Sequence, residues 1–341
     1  MTAGHYFRIV SARYSTFGAL LLLCVVFTIL SPRFLTAGNM QIIVLNVAEL
    51  GIIVVPLALL VMAGSVDLSV GSIASVGAVV AGKVMTDTGS VTAGLLAGVA
   101  CGLLAGALNG LLVSVLGLNP IVITLGFLGA WGGLALYLTE GATITGFPSG
   151  FTDLARWELF SVPIQVIVLA LVVAGGWFVL TQRPFGRELL AVGGGKRAAH
   201  LMGIRVRRVQ FVLFVVTGGA AALAGIMISG KLYAAPPTLG VSMELNALLV
   251  ILIGGVAFEG GVGRISGVLA GLFFIGAMNN GLIIVGVSQY LQSMITGLAL
   301  VLAIAVDRSI QRGVENAWSR LGASELDAHP STDRVDLVPQ P

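Results

Sequence analysis

Charged side chains are scarce in this chain, and so are the residues that usually perform catalysis. Asp, Glu, Lys and Arg make up 10% of the 341 residues, with only 3 His and 2 Cys. No two of His5, His200 and His329 stand at metal-ligand spacing. Cys24 and Cys101 lie within apolar runs, where a small core role is simpler than a disulfide. We therefore expect a protein that is no enzyme, with no metal, no cofactor and no nucleic-acid partner.

Apolar residues are abundant instead, at 57% of the chain with a mean hydropathy of +1.03. No soluble domain of this size needs so much apolar surface, so the bilayer must be the solvent for most of it. Most apolar runs approach the ~20 residues that a spanning helix needs. The predicted fold class is an all-α polytopic membrane protein with about ten transmembrane helices. The predicted spans are 17–31, 42–62, 66–84, 91–116, 120–138, 162–181, 209–229, 245–257, 265–284 and 288–306.

The basic residues are distributed unevenly between the two sides that these spans define. Most of the 18 Lys and Arg residues fall on the side of the N-terminus, concentrated in the loop 182–208. The positive-inside rule then places both termini in the cytoplasm. The predicted organisation is a cytoplasmic N-terminal segment (1–16), a permease domain (17–308) with an extracytoplasmic loop (140–161), and a cytoplasmic tail (309–341). The tail is polar and is predicted to be disordered.

Asp67 lies between two long apolar runs, in a stretch of small and polar residues. A carboxylate inside a membrane segment is a functional candidate by default. Capping of the helix that follows is an equally good interpretation, because Asp is a good N-cap. Glu49 opens the run that reaches Asp67, and Glu244 opens a second run that reaches Gly254 and Gly260. Such paired, interrupted segments predict an internal pseudo-repeat with broken helices and a site near the midplane.

The basic loop 182–208 contains a segment that does more than fix topology. Residues 196–202 predict a short helix with an apolar face, ended by Gly203. Gly186 and the run 193–195 are predicted turn or hinge positions. A small apolar-faced helix among basic residues indicates a protein partner.

Four stretches together resemble one family. They are Gly64 to Ser72 (GSVDLSVGS), Asn119 to Gly126 (NPIVITLG), Ala198 to Ile204 (AAHLMGI), and Ile253-Gly254-Gly255 through 260–263 to Asn279-Asn280-Gly281-Leu282. Their order and spacing resemble the membrane permease of ribose/xylose/galactose-type ABC importers, a group related to the branched-chain amino acid permeases. The resemblance runs from about Asn39 to Asp307. Gly195, Met202 and Arg264 depart from the usual pattern of that family, which has Asn, Ser and a small residue there.

The resemblance implies a subunit of a larger machine in the bacterial inner membrane. The implied partners are an ABC ATP-binding subunit, an extracytoplasmic solute-binding protein, a second permease subunit in a homo- or heterodimer, and membrane lipid. The resemblance also implies that the helix in the basic loop contacts the ATPase. The expected coupling residues are Gly186, Arg187, Ala198, Ala199, His200 and Gly203.

The expected substrate pathway is lined by weak hydrogen-bonding side chains rather than fixed charges, which fits a neutral solute such as a monosaccharide. The expected pathway residues are Asp67, Ser69, Thr124, Asn246 and Asn280. Three alternatives stay open at this point. The solute is a nucleoside or a branched-chain amino acid instead; or the chain is an ion-coupled secondary transporter that uses Glu49, Asp67 and Glu244; or it is an intramembrane enzyme, which the lack of clustered acid and base residues disfavours.

Overall fold

The computed structural model describes the backbone of residues 3–305 and the side chains of residues 16–305. Long apolar helices make up most of this part of the chain. The helices are α1 (Ala3–Leu30), α2 (Ala37–Met62), α3 (Val70–Thr88), α4 (Val91–Gly110), α5 (Pro120–Thr139), α6 (Ser149–Ala155), α7 (Ile164–Gln182), α8 (Pro184–Gly194), α9 (Lys196–Leu201), α10 (Val206–Leu232), α11 (Met243–Ile253), α12 (Ile265–Ile284) and α13 (Gln289–Ala305). A π-helical turn, Leu111–Val115, extends α4. The predicted tail 309–341 lies outside the described residues.

The predicted all-α membrane architecture is confirmed. In the described residues, 7 helices are long and apolar enough to cross a membrane, and 3 further apolar helices have 10–17 residues. Each predicted span falls on one of these helices. The count of ten spans stays a prediction because the three shorter helices are α11, α13 and the apolar part of α1, Thr16–Leu30. The segment before that apolar part is helical as well, since α1 begins at Ala3.

The closest helix pair in the bundle is α4 with α10, and small residues make this approach possible. Gly98, Gly102 and Gly106 recur every fourth residue along one face of α4. A Cβ at Gly102 would overlap Gly218 and Ala222 of α10. Small residues at such spacing let membrane helices pack backbone against backbone. Because lipid is as apolar as the side chains, helix association in a membrane depends on these van der Waals contacts rather than on the hydrophobic effect.

The central helix of the bundle is α2, which packs against α7, α10, α11 and α12. All residues from 51 to 63 are buried. Pro56 lies inside this helix and is itself buried. An apolar helix that is covered on all sides is expected in the centre of a membrane bundle.

The loop 140–161 is partly ordered. It contains α6 and leads into a two-stranded antiparallel hairpin of β1 (Glu158–Leu159) and β2 (Val162–Pro163). Phe160 and Ser161 form its two-residue turn with φ of 49° and 61°, as a hairpin turn of type I′ requires. A further bridge joins Ile144 to Ala235, which follows α10. This end of the bundle is therefore closed by short ordered segments.

The basic loop 182–208 folds into two helices where the sequence predicted one. The helix at Lys196–Leu201 is confirmed, with Gly203 after it at φ of 81°. The prediction of a turn or hinge at Gly186 is wrong, because this residue is buried within α8. A Cβ there would overlap the carbonyl groups of Val179 and Leu180. Glycine at this position lets α8 fold back closely onto the end of α7.

Candidate functional site

Asp67 is fully buried in the turn between α2 and α3. Its Oδ1 accepts hydrogen bonds from the backbone N of Ser69 at 2.8 Å and from the Ser69 hydroxyl at 2.6 Å. The Ser72 hydroxyl donates in turn to the Ser69 carbonyl at 2.9 Å. Because α3 begins at Val70, Asp67 holds the turn that precedes the helix and does not cap the helix itself.

Asn109 of α4 completes the network around this carboxylate. Its Nδ2 lies 2.7 Å from the Ser69 Oγ and 3.2 Å from the Asp67 Oδ2. The Asn109 side chain is fully buried. A membrane interior without water requires such internal partners for each polar group. Sequence analysis missed Asn109, since a single Asn in a Gly- and Ala-rich helix has no distinguishing local pattern.

The Asp67 turn joins two long apolar helices. The helix that follows it, α3, has 19 residues and is long enough to cross a membrane. The Ser65 hydroxyl accepts a hydrogen bond of 2.7 Å from Gln210, near the start of α10. The turn therefore lies at the end of the bundle where the basic loop enters, and a site near the membrane midplane stays a prediction.

Two glycine-rich helix breaks meet at this end of the bundle. The backbone N of Gly261, after α11, donates to the Met62 carbonyl at the end of α2 at 2.8 Å. A Cβ at Gly260 would lie 2.8 Å from the Gly64 Cα. A Cβ at Gly193 of α8 would overlap both Met62 and Gly261. We call this contact of three main-chain segments (62–64, 193–194 and 260–261) the glycine junction. The two interrupted segments that the sequence analysis paired, after α2 and after α11, therefore contact each other directly.

An ion pair lies in the opposite half of the bundle. The Nζ of Lys231, on α10, lies 3.0 Å from the Oε2 of Glu49 on α2. The same Nζ donates to the Oδ1 of Asn46 at 3.0 Å. The Glu49 side chain is 9% exposed and the Lys231 side chain 35% exposed. We call Asn46, Glu49 and Lys231 the α2–α10 polar cluster.

A second polar site lies where α11 begins. Glu244 is buried in the first turn of α11, and its Oε2 has no hydrogen-bond partner among the described residues. Asn246 is half-buried; its Nδ2 donates to the Ser242 carbonyl at 3.2 Å, whereas its Oδ1 has no partner there. At Gly71, a Cβ would overlap both Glu244 and the carbonyl of Gly240. Glycine therefore lets the start of this short helix pack tightly against α3.

The remaining predicted pathway residues are buried and hydrogen-bonded. The Thr124 hydroxyl donates to the Pro120 carbonyl one turn earlier in α5 at 2.8 Å. Asn280 and Asn39 exchange two amide hydrogen bonds of 2.9 Å. Asn119 caps α5 with its Oδ1, which accepts from Ile121 N at 2.9 Å. The structure therefore does not bring Thr124 and Asn280 together with Asp67 at one open site.

The predicted coupling residues divide into exposed and buried groups. The exposed ones are Arg187, Ala198, His200 and Gly203. Gly186 and Ala199 are buried, so neither presents a surface to a partner. Leu201 and Met202 project instead, with 81% and 68% of their surface exposed. Met202 also borders a pocket of about 670 Å³ lined by Phe185, Glu188, Met202, Gly203, Ile204, Arg205, Arg208, Val209 and Val212.

The described residues contain no group of three or more His, Cys, Asp or Glu side chains that could hold a metal ion. The main buried or half-buried polar sites among the described residues are the Asp67 network, the α2–α10 polar cluster, the start of α11 and the Asn39–Asn280 pair. Their side chains offer hydrogen bonds and one ion pair. The arrangement suits binding and movement rather than bond-breaking chemistry.

Comparison with known proteins gives a consistent result. Residues 39–304 match the family described as "Branched-chain amino acid transport system / permease component". The chain is 35% identical to the ribose import permease protein RbsC of Bacillus subtilis, over 89% of this chain and 95% of the relative. It is 34% identical to the D-allose transport system permease protein AlsC of Escherichia coli, over 88% and 93%. It is also 34% identical to the L-arabinose ABC transporter permease protein AraH of Azospirillum brasilense, over 85% and 87%. No solved structure matches significantly.

Proposed function

The chain belongs to the family of branched-chain amino acid transport system permease components, and from this membership we propose that it is the membrane permease of an ATP-driven monosaccharide importer. It is thus a multi-pass membrane transport subunit, and ATP hydrolysis belongs to a partner. We propose a monosaccharide as the solute because the chain is similar, over most of its length, to permeases named for ribose, D-allose and L-arabinose.

Two of the three buried carboxylates in the described residues, Glu49 and Asp67, support a neutral solute. Glu49 is paired with Lys231, and Asp67 accepts hydrogen bonds from Ser69 and Asn109. Paired and hydrogen-bonded carboxylates do not attract an ion strongly, and a sugar needs hydrogen bonders rather than a fixed charge. We place Asn246 on the pathway and give Asp67, Ser69, Thr124 and Asn280 supporting roles, because these four are buried.

The proposed partners are an ATP-binding subunit, an extracytoplasmic solute-binding protein and a second permease subunit. We propose that the ATP-binding subunit docks on the exposed face formed by α9 and the turn after it, with Ala198, His200, Leu201, Met202 and Gly203. Met202 and Gly203 also line the 670 Å³ pocket. Exposed apolar side chains on a short helix are a typical protein-binding feature. The excess of basic residues in the loop 182–208 favours a cytoplasmic position for this face and for both termini.

Purification of the tagged chain from its native membrane, with the proteins that accompany it, tests the proposal. The assembly is reconstituted in vesicles with its solute-binding protein, and uptake of D-ribose, D-allose and L-arabinose is measured. ATP-dependent accumulation of one of these sugars, insensitive to collapse of ion gradients, is expected. Uptake driven by an ion gradient without ATP, or transport of amino acids or nucleosides alone, would contradict it.

A further inference from the structure

The α2–α10 polar cluster of Asn46, Glu49 and Lys231 lies in the half of the bundle away from the basic loop. Asn46 follows the first residue of α2, Ala37, by nine positions, and Glu49 follows it by twelve. At 1.5 Å per residue, these residues lie about 14 Å and about 18 Å along the helix. Lys231 is the last residue but one of α10, so its side chain reaches Glu49 from the end of that helix.

Water or a polar ligand must reach this cluster. Asn46 is exposed and Lys231 is partly exposed, although both belong to helices that cross the membrane. A charged or amide side chain within a membrane segment is costly against lipid. We therefore expect the exposed side of the cluster to face water on the side of the bundle away from the basic loop, since α2 runs from this half towards the glycine junction.

The cluster has unused hydrogen-bonding capacity. An ammonium group has three donors, and Lys231 directs two of them to Glu49 and Asn46. The Glu49 Oε1 is buried and has no hydrogen-bond partner among the described residues. The structure therefore presents a carboxylate acceptor, an ammonium donor and an amide side by side, with no net charge from the ion pair.

We propose that this cluster binds neighbouring hydroxyl groups of the sugar as it passes through the permease. A vicinal diol offers a donor and an acceptor on adjacent carbons, which matches a carboxylate beside an ammonium group. The paired charges strengthen hydrogen bonds to the sugar without attracting ions. This inference rests on the proposed function and identifies the residues that discriminate among solutes.

The test uses the reconstituted transporter with saturating amounts of loaded solute-binding protein, so that binding-protein affinity does not limit the rate. Maximal uptake rates are compared for the imported sugar and for analogues that each lack one hydroxyl. The variants are Glu49→Gln, Lys231→Met and Asn46→Leu, with Lys83→Met as the control for loss of a lysine. Lys83 lies exposed on α3 outside the cluster. Asn46→Leu is the variant least disruptive to folding because Asn46 is exposed.

We expect the cluster variants to lower the maximal rate for the full sugar about tenfold, the effect of losing one good hydrogen bond to a charged group. Their rates for the analogue that lacks the contacted hydroxyl should fall much less, because that contact is already missing. Lys83→Met should behave as the wild type for every sugar.

Two results would overturn the inference. One is an equal loss for the sugar and all its analogues in every folded cluster variant. The other is a wild-type rate and selectivity in the exchanged pair Glu49→Lys with Lys231→Glu, since only the ion pair would then matter. If the wild type imports none of the sugars, the proposed function fails instead, and this outcome is visible before any variant is examined.

Discussion

Asn39 and Asn280 face each other across α2 and α12 and exchange two amide hydrogen bonds, each of 2.9 Å. The Nδ2 of Asn39 also donates to the Phe34 carbonyl at 2.7 Å, which ties the pair to the turn before α2. Both side chains are buried. Of the adjacent asparagines 279 and 280, the second therefore fastens two helices together, and its expected place on the pathway stays a prediction.

Thiol labelling should distinguish residues on the solute pathway from buried residues that have a structural role. Cys24 and Cys101 are replaced first, and single cysteines are placed at Asn246 and Asn280. Asn246→Cys should react with a small water-soluble thiol reagent, because Asn246 is only half-buried. Asn280→Cys should stay unreactive, since it is 5% exposed. A Met202→Cys variant, on the exposed loop, serves as the labelled control. The reverse pattern would remove Asn246 from the pathway.

The Asp67 turn predicts a difference between two substitutions. Asp67→Asn keeps an oxygen that accepts from the Ser69 backbone, whereas Asp67→Leu leaves the Ser69 N–H and hydroxyl without their acceptor. Each buried, unpaired donor costs about 1–3 kcal/mol. Thermal unfolding in detergent should therefore show a much larger loss of stability for Asp67→Leu. If Asp67→Asn folds normally but abolishes uptake, a required negative charge would replace the role of holding the turn.

The glycine junction offers two adjacent positions with opposite expectations. Gly193→Ala places a Cβ against Met62 and Gly261, whereas Gly194→Ala meets no neighbouring atom within 4 Å. Overpacking costs about 1–3 kcal/mol, and more where the obstacle is backbone. Gly193→Ala should therefore lower the unfolding temperature and the transport rate. Gly194→Ala, at the end of α8, should be neutral or slightly stabilising. Equal behaviour of the two variants would show that the junction separates easily.

The exposed face of α9, on which we propose that the ATP-binding subunit docks, predicts different effects of substitutions at exposed and buried positions. Leu201→Glu adds a charge to a strongly exposed position and should leave the fold intact. Loss of a hot-spot residue from a protein interface costs about 2 kcal/mol of binding free energy or more. We expect a charge buried in the docking surface to cost a similar amount. Uptake and co-purification of the ATP-binding subunit should fall, whereas Leu201→Met should keep both. Ala199→Glu should instead impair folding, because Ala199 is buried within the chain's own core. Normal uptake with Leu201→Glu would place the docking face elsewhere.

Helix positions followed from the sequence because they depend on local properties. Apolar runs set the spans, and Asn119 before Pro120 set the start of α5. The helix α8 was missed, since its 11 residues include three glycines that suggested turns. Two of those glycines, Gly186 and Gly193, instead meet α7 and the two helix breaks at close range. The close approach of distant segments leaves no local trace in the sequence.

The candidate site was less accessible to sequence analysis, for a similar reason. Asp67 was identified as a buried carboxylate, but its partner Asn109 lies 42 residues away. Lys231 lies 182 residues from Glu49. A lysine near a helix end is typical of a membrane interface, and only the folded arrangement shows that it reaches a glutamate deep in the bundle.

The glycine junction has a mechanical consequence. Side chains at a helix contact absorb small displacements by changing rotamer, and this slack weakens the transfer of force. At Gly193, the main chain of α8 meets the main chain of α2 at Met62, with no side chain of α8 between them. A push on the basic loop should therefore reach the central helix of the bundle with little slack. The smallest residue thus provides a stiff connection between the loop and the core.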